Sequence, residues 1–179
     1  SIMAMEYGCV AIAGSHEYFV NAFAALRKAE SELADLESMF VTFFEQSGND
    51  YSNEKDKILE IVNAHKAGLK SQQEGFVSII KEKAKEITTK NKYHIASSIA
   101  DDANPEVRSL AIEIFKSIAF DGEDGGLTAT NAALCCVGML LDDRDWEGAE
   151  HFLHQLSTKR RKAFEECALL KDRLASLRR

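Results

Sequence analysis

Four side chains near the carboxyl end of the chain have the residue types and spacing of a metal site. Glu147, Glu150, His151 and His154 fall within two helical turns, and this spacing places Glu147 beside His151 and Glu150 beside His154. Carboxylates and imidazoles on bundled helices bind iron or manganese, but such sites take ligands from more than one helix. This chain has the cluster on one helix only. We therefore expect an exposed polar face, with a metal-dependent enzyme as the alternative.

A second candidate for metal binding is the loop 121–126, which reads Asp-Gly-Glu-Asp-Gly-Gly. Calcium loops also combine carboxylates with glycines, because a hard cation needs several oxygen ligands on a pliable backbone. The stretch from Asp121 to Asp124 lacks the alternating acidic positions and the distal glutamate of an EF-hand. We expect a solvated turn here and no bound metal.

Basic residues are concentrated at the carboxyl end. Residues 159–179 contain eight Lys and Arg, including the run Lys159-Arg160-Arg161-Lys162, against three acidic residues. A basic helix can touch phosphate or anionic lipid, but the run encircles a helix and no aromatic residues alternate with it to stack on bases. We expect solvated charge or pairing with the acidic remainder. Nucleic-acid association through this basic helix is a further alternative.

Motifs for nucleophilic catalysis and cofactor binding are missing from the sequence. It contains no Gly-x-Ser-x-Gly, no phosphate-cradling glycine-rich loop and no His-Glu-x-x-His. The triplet Ser15-His16-Glu17 is consecutive, so its side chains diverge on a helix. We expect no catalytic residue, no cofactor and no small-molecule substrate.

The elements that position these residues are helices. An apolar ladder with alternating spacings of three and four residues predicts a long helix over 15–47, and its members are Phe19, Ala22, Leu26, Ala29, Leu33, Leu36, Phe40 and Phe43. Such a strict seven-residue pattern is typical of helices that wrap around each other. We expect Leu26, Leu33, Leu36 and Phe40 to be buried.

A second long helix is predicted to begin at Ser52 or Asn53, after a polar turn at 47–50. The short connection predicts an antiparallel hairpin, with acidic residues of the first helix facing lysines of the second. His65 and Gln72 are polar residues in the apolar ladder of this second helix. A buried polar pair of this kind sets the register of paired helices, so its role is structural specificity rather than catalysis.

Local signals divide the remaining chain into shorter helices. A helix ends at Asp101 or Asp102, and the next begins at Asn104-Pro105, because asparagine caps helices and proline suits their first position. The apolar run 132–141 predicts a central core helix. The last helix begins near Asp145 and its register breaks near Arg160.

Two short stretches resemble known helical repeats. The run from Asp102 to Arg108, with Ala111, resembles the turn and second helix of a HEAT repeat. The stretch from Leu134 to Leu156 is similar to a tetratricopeptide helix pair, with Arg144 where glycine is usual. Both resemblances imply protein binding rather than catalysis.

Composition narrows the class of protein further. A net charge of -7 disfavours a general nucleic-acid binder, and one proline among 179 residues favours long helices. Four cysteines without a CxxC pair suggest reduced thiols in a cytoplasmic protein. No run is long enough to span a membrane, and the apolar stretch 2–13 lacks the positive start of a signal peptide, so we expect a packed segment there.

Together these patterns predict one all-α domain, 1–179, in which a hairpin (1–92, with the N-terminal segment) packs against a bundle of shorter helices (93–179). The expected function is non-enzymatic protein binding, as in an adaptor, inhibitor, immunity protein or secretion chaperone. The partner is another protein or a second copy, because large apolar residues exceed what one helix covers. The predicted interaction surface comprises Phe19, Phe23, Leu26, Leu33, Leu36, Met39, Phe40, Phe43 and Phe44.

Overall fold

The computed structural model describes residues 16–47, 51–121, 127–167, 172 and 176. Within these ranges the protein is all-α, as predicted, and no residue forms a strand. The helices are α1 His16–Ser47, α2 Ser52–Lys83, α3 Thr89–Ile99, α4 Pro105–Asp121, α5 Leu127–Asp142, α6 Trp146–Lys159 and α7 Arg161–Glu166. The predicted apolar segment at 2–13 and most of the 121–126 loop lie outside the described residues.

The chain divides into two compact units, Ser1–Glu82 and Lys83–Arg179. The division falls earlier in the chain than residue 92, where the sequence analysis separates hairpin from bundle. Helix α3 belongs to the second unit because it packs along α4.

Helices α1 and α2 of the first unit form an antiparallel hairpin. The Lys66 ammonium lies 2.5 Å from Glu37, and the Gln73 amide donates a 2.9 Å hydrogen bond to Glu30. Farther along, the rings of Phe23 and Phe76 are 5.9 Å apart. As the residue number falls along α1, the number of its partner on α2 rises. The two helices are therefore antiparallel, which confirms the predicted hairpin.

Burial along α1 follows a straight helix rather than the strict seven-residue ladder. Phe19 and Leu26 are buried, and Leu33 and Phe40 are half-buried. The predicted burial of Leu36 is wrong, since it is 45% exposed. A straight helix drifts about 20° per heptad relative to a 3.5-residue repeat, so the ladder rotates out of the core over successive turns.

The same drift changes which polar residue of α2 is buried. His65 is exposed and its Nδ1 lies 2.8 Å from the Ile61 carbonyl oxygen, so the buried pair with Gln72 does not form. Gln73, one position beyond the predicted seam, is 1% exposed. Its hydrogen bond to Glu30 satisfies the amide inside the hairpin.

The second unit is a bundle in which each helix packs on the next along the chain. Helix α5 also contacts α3 and α7, which makes it the central helix predicted from its apolar run. The largest fully buried side chains of this unit include Ile95, Ile99, Leu110, Phe115, Ile118, Val137, Phe152 and Leu156.

Local caps start the helices where the sequence predicts. The Asn104 side chain accepts from the Glu106 amide at 3.0 Å, and α4 begins at Pro105. The Asp145 carboxylate accepts from the Gly148 amide at 2.9 Å and caps α6. Arg108 donates to Asp143 at 2.6 Å and to the Ala100 carbonyl at 2.5 Å, which ties the α3–α4 turn to the end of α5.

Arg144, in the turn between α5 and α6, has a φ of 59°. This left-handed region favours glycine, because it places a Cβ against the following carbonyl oxygen. The position at which Arg144 replaces the usual glycine of a tetratricopeptide pair therefore has the backbone conformation that glycine adopts.

Candidate functional site

An apolar groove of about 580 Å³ runs along the hairpin of the first unit. Helix α1 contributes Ala29, Glu32, Leu33 and Leu36 to its walls. Helix α2 contributes Ala64, His65, Gly68, Leu69 and Gln72. Spacings of three and four residues place each set on one face of its helix.

Small side chains keep the groove open. Ala29 and Ala64 end at Cβ, and Gly68 has no side chain. A Cβ built on Gly68 meets no atom within 4 Å, so a larger residue fits there without a clash. The groove therefore results from the small size of these side chains and not from a bend in either helix.

The groove continues into an exposed apolar stripe toward the turn of the hairpin. Along α1, Leu36, Met39 and Phe43 are 45%, 68% and 56% exposed. Along α2, Ile61 is 58% exposed and precedes Ala64 by three residues, so it lies on the groove face. We call the groove and these four residues the hairpin face. Contiguous apolar surface of this kind usually marks an interaction site.

The residues of the predicted interaction surface fall into two groups, one exposed or half-buried and one in the core. Leu33, Leu36, Met39 and Phe43 lie on the hairpin face. Leu33 is half-buried there, and Phe40 is half-buried beside the face. Phe19, Phe23, Leu26 and Phe44 are at most 8% exposed and belong to the core. These four side chains pack in the core and are not part of the exposed face; their predicted role in binding a partner stays a prediction.

Few polar groups lie in the groove. Glu32 is its acidic residue and lies 3.7 Å from Lys28 on the outer surface of α1. The Gln72 Oε1 is buried without a hydrogen-bond partner among the described residues. A buried carbonyl oxygen without a donor is costly, so it favours a ligand that brings an N–H or O–H group.

The two helices of the hairpin differ in charge. Helix α1 has six acidic and two basic residues, whereas α2 has five acidic and six lysines. Lys66 is already paired with Glu37. No lysine or arginine lines the groove itself, so the local field favours a cationic partner.

The Glu/His cluster forms no metal site in the described part of the chain. Glu147, Glu150, His151 and His154 are all exposed, and His151 Nε2 lies 2.8 Å from the Gln155 amide nitrogen. Among the described residues, no group of three or more His, Cys, Asp or Glu side chains is placed to hold a metal ion. In the loop, only Asp121 is described.

Three cysteines lie in the second unit as free thiols. Cys136 and Cys167 are buried. Burial raises the pKa of the Cys136 thiol to about 12 and that of Cys167 to about 11. Cys135 is half-buried, and its Sγ lies 3.9 Å from the Tyr93 hydroxyl. Buried thiols with raised pKa values are poor nucleophiles at neutral pH.

In the described ranges, no helix combines the length and the apolar character that crossing a bilayer requires. Comparison of the chain with protein-family models, with curated proteins and with solved structures gives no match.

Proposed function

We propose that this protein is a non-enzymatic binding module whose hairpin face receives one amphipathic helix of a partner protein. The observation that carries the proposal is the open apolar groove bounded by Leu33, Leu36, Ala64 and Gly68. A helix laid in it buries its apolar side, as in other helix-in-groove complexes. The exposed residues Met39, Phe43 and Ile61 extend the contact.

The charge pattern specifies the partner further. Six acidic residues on α1 and a net charge of -7 favour a helix with lysine or arginine beside its apolar stripe. Complementary charge steers association and rejects acidic competitors. The unpaired Gln72 oxygen accepts a hydrogen bond from a donor on such a helix.

Three synthetic peptides of about 18 residues, or ~27 Å as helix, test this proposal. The first is an amphipathic Leu/Lys helix, the second replaces each lysine with glutamate, and the third scrambles the first so that its apolar stripe is lost. We expect the Leu/Lys helix to bind at least about tenfold more tightly than either of the others in fluorescence anisotropy.

Two positions of α2 supply a pair of variants. Gly68→Leu places a side chain in the groove, and the Gly68 Cβ meets no atom within 4 Å. Asn63→Leu places the same side chain at an exposed position that does not line the groove, because five residues separate it from Gly68 and turn it to the other side of the helix. We expect Gly68→Leu to abolish binding of the Leu/Lys peptide and Asn63→Leu to leave it unchanged.

Equal affinity for all three peptides, or equal effects of the two leucine variants, would contradict the proposal. Self-association is tested separately by light scattering. A dimer at micromolar concentration that Gly68→Leu dissociates would identify a second copy as the occupant and overturn the assignment of a separate basic partner.

A further inference from the structure

A second cavity, of about 370 Å³, lies in the helical bundle of the second unit. The basic run Lys159–Lys162 lines it together with Thr130. The alanines Ala119, Ala129 and Ala163 are nearly or fully buried and form its apolar base. We call it the basic pocket. Its size is within the range of small-molecule sites, roughly 300–1,000 Å³.

A break between two helices gathers the four cations. Helix α6 ends at Lys159, Arg160 has φ −142° and ψ 69°, and α7 begins at Arg161. On one continuous helix the run would encircle the axis, as the sequence analysis expects. Because the chain turns at Arg160, all four residues instead line the same cavity.

Phe120, near the end of α4, holds two of these cations in place. The Arg160 Nη2 donates a 2.5 Å hydrogen bond to the Phe120 carbonyl oxygen. The Lys159 ammonium lies 5.4 Å from the centre of the Phe120 ring, within cation–π range. Both charges are thus fixed before any ligand arrives, which lowers the entropy cost of binding.

The other two cations are available to a ligand. Arg161 pairs at 3.1 Å with Glu165, and both side chains are more than 60% exposed, so the pair is weak and readily exchanged. Lys162 is exposed. Among the residues that the structure describes, no acidic side chain lines the pocket.

From this arrangement we infer that the basic pocket binds the phosphate group of a small ligand. A guanidinium presents paired N–H donors that match two phosphate oxygens, and an ammonium adds a compact charge. The Thr130 hydroxyl adds a neutral donor. The phosphate can belong to a soluble compound or to a lipid headgroup, because the recognising chemistry is the same.

The test uses sodium pyrophosphate as the soluble probe and phosphatidic acid vesicles as the lipid probe, both at constant ionic strength. The pocket variant is the double change Arg161→Gln and Lys162→Gln. The control, Lys85→Gln with Lys90→Gln, removes two exposed lysines of the same unit that do not line the pocket. Thr130→Leu narrows the pocket without changing its charge.

We expect pyrophosphate to bind the unaltered protein in titration calorimetry and about tenfold or more weakly to the pocket variant, with no change in the control. Thr130→Leu should weaken binding similarly. Vesicle binding that only the pocket variant loses, without pyrophosphate binding, supports the phosphate site with lipid as its source. Equal losses in both double variants, or binding of neither probe, overturns the inference.

Discussion

Phe43 and Phe44 touch edge to face, with ring centroids 5.4 Å apart, yet one ring belongs to the surface and the other to the core. Phe43 is 56% exposed and Phe44 is 8% exposed. The sequence ladder includes Phe43 and passes beside Phe44. The structure reverses their roles, since a straight helix with 3.6 residues per turn falls behind a 3.5-residue repeat and the buried position moves to a later residue.

This pair supplies a matched stability test. Phe44→Ala should lower the free energy of unfolding by about 3 kcal/mol, because it removes a buried ring. Phe43→Ala should lower it by less than about 1 kcal/mol, since its ring is already hydrated. Urea denaturation measures both. Similar losses for the two variants would mean that α1 does not bury the face described here.

Arg144 offers a route to a more stable protein. Arg144 has a φ of 59°, and Arg144→Gly removes the strain of a Cβ in this left-handed conformation. The free energy of unfolding should rise by about 0.5–1 kcal/mol, once the greater entropy of glycine in the unfolded chain has been subtracted. Arg144→Ala, which keeps a Cβ, serves as the control and should give no gain. A gain of equal size from alanine would show that charge, not backbone conformation, is responsible.

Two glycines should respond to alanine with opposite signs. A Cβ on Gly75 meets no atom within 4 Å, whereas a Cβ on Gly148 falls 2.0 Å from the Asp145 carboxylate that caps α6. Gly75→Ala should therefore stabilise by about 1 kcal/mol through helix propensity. Gly148→Ala makes the same propensity gain but displaces the cap, whose loss costs up to about 2 kcal/mol, so the net change should be a loss of up to about 1 kcal/mol. Thermal unfolding by circular dichroism distinguishes them, and a gain at both positions would exclude a stabilising cap.

The buried thiols predict a loss of stability at alkaline pH. Cys136 and Cys167 have pKa values of about 12 and about 11 in the folded protein, so the unfolded chain releases these protons first. Stability should hold below about pH 8.5, the ordinary thiol pKa, and fall as pH rises further. Replacing both cysteines with alanine should flatten the decline in melting temperature between about pH 9 and 10.5. An unchanged slope would exclude the two thiols as its cause.

The helices were predictable because their boundaries depend on neighbouring residues. Asn104 and Pro105 start α4, Asp145 caps α6, and the register breaks at Arg160. Each signal depends on residues close together in the chain, so it can be read from one sequence without knowledge of the fold. The continuous apolar run of α5 is likewise a local pattern, and it predicts the central helix.

The buried face of the long helices was harder to predict, because a small error in repeat length grows with each turn. By Leu36 and Phe43 the seven-residue pattern points to the wrong face, and Gln73 is missed by one position. The groove had a visible signal in Ala64 and Gly68, small residues four apart on one helix face. For the basic pocket the sequence contains the cations at 159–162 but not the cavity, since the position of the run beside Phe120 depends on how α4 and α6 pack.

The exposure of Met39 has an oxidative consequence. Its side chain is 68% exposed on the hairpin face, whereas Met139 in α5 is 7% exposed. Peroxide therefore reaches the Met39 sulfur before that of Met139 and converts a flexible apolar thioether into a polar sulfoxide. Oxidation at this one position makes the stripe between Leu36 and Phe43 more polar, while the core around Met139 remains intact. Methionine sulfoxide reductases can reverse the change.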